Sequence, residues 1–249
     1  MDIVYQLGKG CSQSDDFEIR YSLRSIEKYG KNIGKVYVAG YCPEWLSENV
    51  IKVPCEQPIA KPKDIVERHI NMLYTLLYVV DNTDISDEFL ISMDDHFYVR
   101  DVDFDNYPYY EKIFGPNNEL PEEGKTPYKK LLAKTRAFCV KNKVGYQYLT
   151  LHRNMHCSRA MISETRTILN NIISKKTPCE YQAFLLNWWK TKHGLESTAI
   201  KDVRLQDASE WWKTDPRETE VFSTANFDET SGLYVLIQSL YPEKSKYEL

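Results

Sequence analysis

The chain has 249 residues, 42% of them hydrophobic and 18 of them tyrosine, which is enough to bury the core of one large domain without disulfide staples. Its formal charge of −4 excludes the broad basic face that sequence-independent nucleic-acid binding needs, though not a local basic cleft for a diphosphate. No run approaches the ~18 apolar residues of a membrane span, no leader opens the chain, and the six dispersed cysteines contain no C-x-x-C pair, so a soluble, cytoplasmic protein with reduced thiols and no structural zinc is expected.

Ile3 to Leu7 reads as a short apolar strand ending at Gly8 and Gly10, with a polar loop over Cys11–Ser14. Asp15-x-x-Glu18 resembles a capping box, and Ile19, Leu23, Ile26 and Tyr29 follow at helical spacing until Gly30. Val36–Ala39 is a second strand, Cys42–Leu46 a turn with a short helix, and Val50–Val53 a third strand stopped by Pro54. After a loop with three prolines, Asp64-x-x-Glu67 caps a longer helix whose inner face carries Ile65, Met72, Leu73, Leu76, Leu77 and Val80. An acidic strand over Phe89–Val99 completes the rhythm of a doubly wound α/β unit. The second half is less regular. It predicts a loop at 116–127, a helix over Tyr128–Lys141, a strand over Tyr146–Leu151, and helices over Glu164–Ser174, Glu180–His193 and Gly232–Leu240. Residues 1–115 therefore form the nucleotide-binding α/β half of one domain and residues 116–249 the acceptor-side half.

The acidic strand carries the chemistry. Asp94, Asp95 and His96 stand in a row between apolar residues, where unpaired buried charge is costly. The cost is acceptable at a strand end where a divalent cation neutralises the carboxylates. Oxygen ligands with an imidazole suit Mg²⁺ or Mn²⁺, and the C-terminal edge of an open α/β sheet is where such folds bind nucleotides. Two registers are open: Asp94 with His96, or Asp95 as the main ligand with Asp94 on the ribose or a metal-bound water. The plain alternative is a pair of solvated acids at a strand end.

The other candidates are single residues. His156 would complete the metal shell from a distant loop or act as an acid–base group. Its neighbour His152 lies four residues earlier, but no Glu follows His152 to make a zinc helix. Gly8 and Lys9 would let the backbone approach a nucleotide. Lys61, Lys63 and Arg68 would neutralise a diphosphate, Asp202 and Asp207 would serve as acceptor-side bases, and the Trp188-Trp189 and Trp211-Trp212 pairs are expected to pack inside.

Glu18-Ile-Arg-Tyr-Ser-Leu-Arg-Ser-Ile-Glu-Lys28, Val36-Tyr-Val38, Pro43-Glu-Trp-Leu46 and Phe89–Tyr98 together resemble the boxes of Stealth-type capsular polysaccharide sugar-phosphate transferases, in the short form found in bacteria and phages. The resemblance covers about residues 2–100, with a fainter likeness around His156 and in Leu240-Tyr-Pro-Glu-Lys-Ser245. The first family box differs: this chain has Val4-Tyr-Gln-Leu-Gly-Lys-Gly10, and Cys157-Ser158 follows the later histidine where a proline-containing stretch is usual. The resemblance implies a GT-A-like nucleotide-diphospho-sugar transferase fold, a Rossmann-like mixed sheet flanked by helices with a mostly helical C-terminal part. It also implies a metal-bound nucleotide sugar, commonly a UDP-sugar, and a glycan or other hydroxyl acceptor. It places Arg20 against the donor phosphates, the alternative being that Arg20 and Arg24 only brace their helix. The expected reaction is glycosyl transfer. Sugar-1-phosphate transfer releasing UMP, a non-catalytic glycan- or partner-binding role, and glycosylation of modified DNA bases are the alternatives, the last disfavoured by the acidic charge.

Overall fold

The computed structural model describes residues 1–8, 16–112, 118–149, 151–213, 219–224 and 230–249, with Lys112 described for its backbone alone. Strand β1 (Asp2–Leu7) is buried along its whole length. Ile3, Tyr5 and Leu7 enter the core beneath helix α1 (Phe17–Tyr29), while Val4 faces the opposite core. A strand apolar on both faces belongs in the middle of a sheet covered on both sides. β1 accordingly lies between β2 (Val36–Gly40) and β4 (Glu88–Ser92), parallel to both, with Ile3 opposite Val36 and Leu90. Strand β3 (Val50–Pro54) extends the sheet beside β2, and β6 (Met155–Ser158) closes the other edge antiparallel to β4, giving the order β3-β2-β1-β4-β6.

The chain steps outward from β1 through α1 to β2 and β3. Helix α2 (Ile65–Asn82) then carries it back across to β4, on the far side of β1. The reversal leaves a crevice at the C-terminal ends of β1 and β4, the place where open α/β sheets bind ligands. Helices α2, α4 (Arg159–Ser174) and α5 (Tyr181–His193) cover one face through Leu73, Leu76, Leu169 and Phe184. Helix α1 covers the other through Ile19, Leu23 and Ile26. A small second sheet joins β5 (His96–Tyr98), β7 (Arg204–Leu205) and β8 (Val221–Thr224) beside α6 (Gly232–Leu240), with Phe97 and Phe222 in a third core. The protein is thus α/β with a mixed sheet. Because β6 comes from the second half of the chain, the two halves share one sheet. Of the expected loop at 116–127, residues 116 and 117 lie outside the described residues, and helix α3 (Pro127–Lys141) follows it.

Several expectations change. The stretch from Phe89 to Val99 is two strands, β4 and β5, in different sheets, joined by a turn at Asp94-Asp95. The capping box expected before α1 falls on Asp15, which lies outside the described residues. Asp16 takes the cap position with φ 56, its side chain making no capping bond. Its carboxylate instead accepts from Trp45 Nε1 at 3.3 Å and Tyr41 Oη at 3.4 Å. The box before α2 does form: Asp64 accepts from the Glu67 amide at 2.9 Å, while Glu67 reaches back to the Lys63 amide at 2.7 Å. Cys42–Leu46 is a turn without a helix. Residues 146–149 are not a strand: they make a single bridge, Glu119 to Gln147, because Tyr146 and Tyr148 pack sideways on Leu120, Leu132 and Ala183. The strand follows later, at Met155–Ser158. Trp188, Trp189 and Trp211 pack against cores, but Trp212 is 84% exposed.

Candidate functional site

The acidic turn is fixed from below. Tyr5 and Ser22 share a buried hydrogen bond of 3.0 Å, and Ser22 Oγ donates to the His96 carbonyl at 2.7 Å. Ser25 Oγ accepts from the Tyr98 amide at 3.0 Å. Two serines one helical turn apart on α1 therefore bind the backbone of β5, the strand that leaves the turn. His96 is buried. Its Nδ1 faces the Met93 amide at 3.4 Å and Asn154 Oδ1 at 3.3 Å, and its Nε2 stands 3.8 Å from Asp95 Oδ1. Burial, ahead of the opposing Asp95 charge, lowers its pKa.

Asp94 sits at the rim of the crevice. Burial and then the Asp95 carboxylate push its pKa up to about 7. Glu18, in the first turn of α1, faces the same pair: burial, Asp94 and Asp95 push it up to about 8, against the pull of Arg204. Three acids thus crowd one rim, and their excess negative charge is what a cation would relieve. Among the described residues no group of three or more His, Cys, Asp or Glu side chains is arranged as a metal cage.

Two clefts adjoin at this rim. The first, about 430 Å³, lies over the ends of β1, β2 and β3 and is lined by Gly8, Gly40, Tyr41, Gln57, Arg68 and Asn71 among others. Gly40 has φ +92, and a Cβ there would meet the Leu7 carbonyl at 2.3 Å, so only glycine lets the two strand ends close up at this wall. Gln6 is fixed in the same wall, donating to the Met72 carbonyl at 2.6 Å and accepting from Tyr181 Oη at 2.7 Å. The second cleft, about 420 Å³, runs past Asp95 and His96 to His69, Tyr128, Tyr148, His152, Glu180 and Arg204. Met72, Met93 and Asp94 line both.

The second cleft holds an oriented imidazole. His152 Nδ1 lies 2.7 Å from Asp202 Oδ2, and the His152 amide donates to Asp202 Oδ1 at 2.9 Å. Arg204 Nη1 is 3.0 Å from His152 Nε2 and can only donate, so Nε2 accepts and Nδ1 carries the proton toward Asp202. A carboxylate that fixes the tautomer of a cleft histidine is the arrangement of a general base. Arg204 also donates from Nε to the Thr224 carbonyl at 3.1 Å, which holds a guanidinium beside the acidic rim.

The expected site residues divide. Asp94, Asp95 and His96 come together at the rim, with Gly8 in the adjoining wall. Lys9 lies outside the described residues. His156 does not join them: it pairs opposite Leu90 in the sheet, its Nε2 2.8 Å from Glu88 at the far end of β4 and its ring stacked on Tyr109 at 4.2 Å. Arg20 turns away from the crevice, stacked over Trp45 at 4.1 Å and bonded to Glu248 at 3.1 Å; Arg24 holds the same carboxylate at 2.7 Å. Of the basic residues, Arg68 reaches the first cleft, while Lys61 and Lys63 are exposed and line neither. Asp207 is exposed and accepts from the Ser209 amide at 2.7 Å, capping a short turn and lining neither cleft. Sequence reasoning passed over Glu18, Glu180 and Arg204 as site residues and ranked His69 and His152 well below His156. One signal was present for Glu180, an acid immediately before an apolar helix.

No protein-family model matches the chain, and a search of curated proteins finds no match.

Proposed function

We propose that the protein transfers a sugar from a nucleotide diphosphate-sugar, of the UDP-sugar type, to a hydroxyl of a glycan or similar acceptor, with GT-A-like architecture and a Stealth-like ancestry. One observation carries the reading: Asp94 and Asp95 stand where the parallel sheet reverses its strand order, and Asp94 is common to two clefts of similar size. Two adjoining subsites that meet at a pair of acids suit a reaction between two substrates.

The acidic rim fits Mg²⁺ or Mn²⁺. Such ions take one or two carboxylates and complete their shell with substrate phosphates and water, so a pair of acids without a full protein cage is an appropriate donor set. Asp94 and Asp95 would hold the ion, which would supply Lewis-acid neutralisation of the diphosphate. The chain's own groups do the rest. The first cleft holds the nucleoside against the glycine-lined wall at Gly8 and Gly40, with Arg68 beside it. Arg204 donates to negative charge gathering at the rim. His152, kept in its Nδ1–H tautomer by Asp202, takes the acceptor's proton at Nε2 once the Arg204 contact is exchanged for the incoming hydroxyl.

The test is to incubate the protein with nucleotide sugars and Mn²⁺ and follow the nucleotide released. UDP identifies attack at the anomeric carbon; UMP identifies attack at the β-phosphorus and sugar-phosphate transfer instead. Asp95→Ala is expected to abolish turnover and Mn²⁺-dependent UDP binding. Unchanged UDP binding in that variant would leave a non-catalytic binding protein.

A further inference from the structure

The far wall of the second cleft holds two side chains that the transfer mechanism does not use. Glu180 caps α5, with Oε2 accepting from the Ala183 amide at 2.6 Å. Its other oxygen, Oε1, lies 3.7 Å from His69 Nε2, too far for a hydrogen bond. His69 stands on the inner face of α2, and its Nδ1 meets the Ile65 carbonyl at 3.1 Å. A carbonyl only accepts, so Nδ1 carries the ring proton and Nε2 presents a lone pair. The side chains are 3% and 11% exposed, and both line the cleft.

With Glu180 ionised, as it is above its raised pKa of about 7, two acceptors stand side by side with no donor between them. Both open onto the cleft, so a ligand there can supply the hydrogens that the protein does not. The pair accepts either two hydroxyls, each donating to its own partner, or one ammonium group donating to both. The site disfavours the ammonium group. The positive end of α5 lies behind Glu180, and Arg68 acts electrostatically on His69. Tyr128 and Tyr148, in the same wall, offer apolar faces for a sugar ring.

We infer that Glu180 and His69 form a subsite for a vicinal diol, gripping a neighbouring hydroxyl pair of a neutral sugar in the second cleft. Assigning that sugar to the acceptor rests on the transferase reading; the diol site itself does not. Burial keeps His69 neutral, with its pKa lowered to about 4, which preserves the lone pair at working pH.

The test titrates the intact chain, by saturation-transfer NMR, with the methyl α-glycosides of glucose, galactose and mannose and with a 2-amino-2-deoxy analogue. UDP with Mn²⁺ is titrated separately. The variants are His69→Phe, which keeps the ring shape without the acceptor, and Glu180→Gln, which keeps a capping oxygen but replaces the other acceptor with a donor. Wild type is expected to bind at least one glycoside, and each variant to bind it about tenfold more weakly or worse, the effect of one unmatched buried polar group. Mn²⁺–UDP binding is expected to stay as in wild type. If Glu180→Gln fails to fold, His69→Phe decides alone. Equal glycoside affinity in a folded variant, no glycoside binding by wild type, or tighter binding of the amino analogue each overturns the inference. UDP binding without glycoside binding removes the diol site and leaves the transferase reading standing. Glycoside binding without UDP binding does the reverse.

Discussion

Glu248 keeps its charge between two guanidinium groups although its side chain is fully buried. Burial alone would raise its pKa. The Arg24 hydrogen bonds, the Ser245 amide and Arg20 outweigh that and hold it down to about 2. A carboxylate depressed in the folded state contributes stability that is present above its ordinary pKa and lost as pH falls toward the folded value. Glu248→Gln is expected to cost about 3 kcal/mol at neutral pH, because it leaves two cations facing a neutral group. Urea unfolding at pH 7 and pH 3 checks this, with the difference between wild type and variant shrinking at the lower pH. At this scale the sequence was only half informative. Asp94, Asp95 and His96 were legible because acids within an apolar run need a reason. His156 was misplaced: a histidine four residues after another gives no indication of which end of an antiparallel strand it will occupy. Asp202 was named without its partner His152, since a contact 50 residues apart in the chain leaves no local trace.

Helix α1 shows what a conspicuous sequence box does. Its apolar residues Ile19, Leu23 and Ile26 fill the core, Ser22 and Ser25 bind the backbone of β5, and Arg20 and Arg24 grip Glu248. Glu18, in its first turn, feels the charge of Asp94 and Asp95. The box is chiefly a bracket for the acidic turn, and that explains why its arginines misled a reading aimed at phosphates. Ser22→Ala removes partners from the His96 carbonyl and the Tyr5 hydroxyl, both buried, and is expected to cost about 1–3 kcal/mol. Because the loosened backbone adjoins Asp95, Mn²⁺–UDP affinity is expected to fall as well. Thermal unfolding and a UDP titration check the two effects; a stability loss with unchanged affinity would separate the bracket from the site. In the first hundred residues the two helices and the first three strands were readable from period and turn chemistry, but the break between β4 and β5 and the missing helix at Cys42–Leu46 were not. In the second half the strand at Met155–Ser158 was hidden, because it is four residues long and its pairing with β4 is decided by tertiary contact.

At the scale of the whole molecule, three acids with raised pKa among the described residues shape the response to pH. Glu18 at about 8, Asp94 at about 7 and Glu180 at about 7 favour their protonated forms in the fold. For Glu18 and Asp94 burial acts first and the neighbouring carboxylates second; for Glu180 burial acts against two backbone hydrogen bonds. Their stabilisation is complete below the ordinary carboxylate range and is lost as pH rises through 7 and 8. His69, His96 and His156, whose pKa values burial lowers, act in the opposite sense, but only as pH falls below their ordinary value near 6.5. The melting temperature is therefore expected to be higher at pH 6.5 than at pH 8.5. Mn²⁺ is expected to raise it most at pH 8.5, where the rim is ionised. Calorimetry at both pH values, with and without the ion, checks the sign. Asp94→Asn should reduce both the slope and the response to metal.

The clasp between Arg20 and Glu248 joins residues 228 positions apart. A growing polypeptide displays α1 early, yet the carboxylate that clasps both of that helix's outer arginines arrives only when residue 248 has cleared the ribosomal tunnel. Throughout synthesis the acidic turn consequently rests on a support fastened along one side only. A stalled nascent chain ending near residue 230 would present the crevice with its bracket still unclamped.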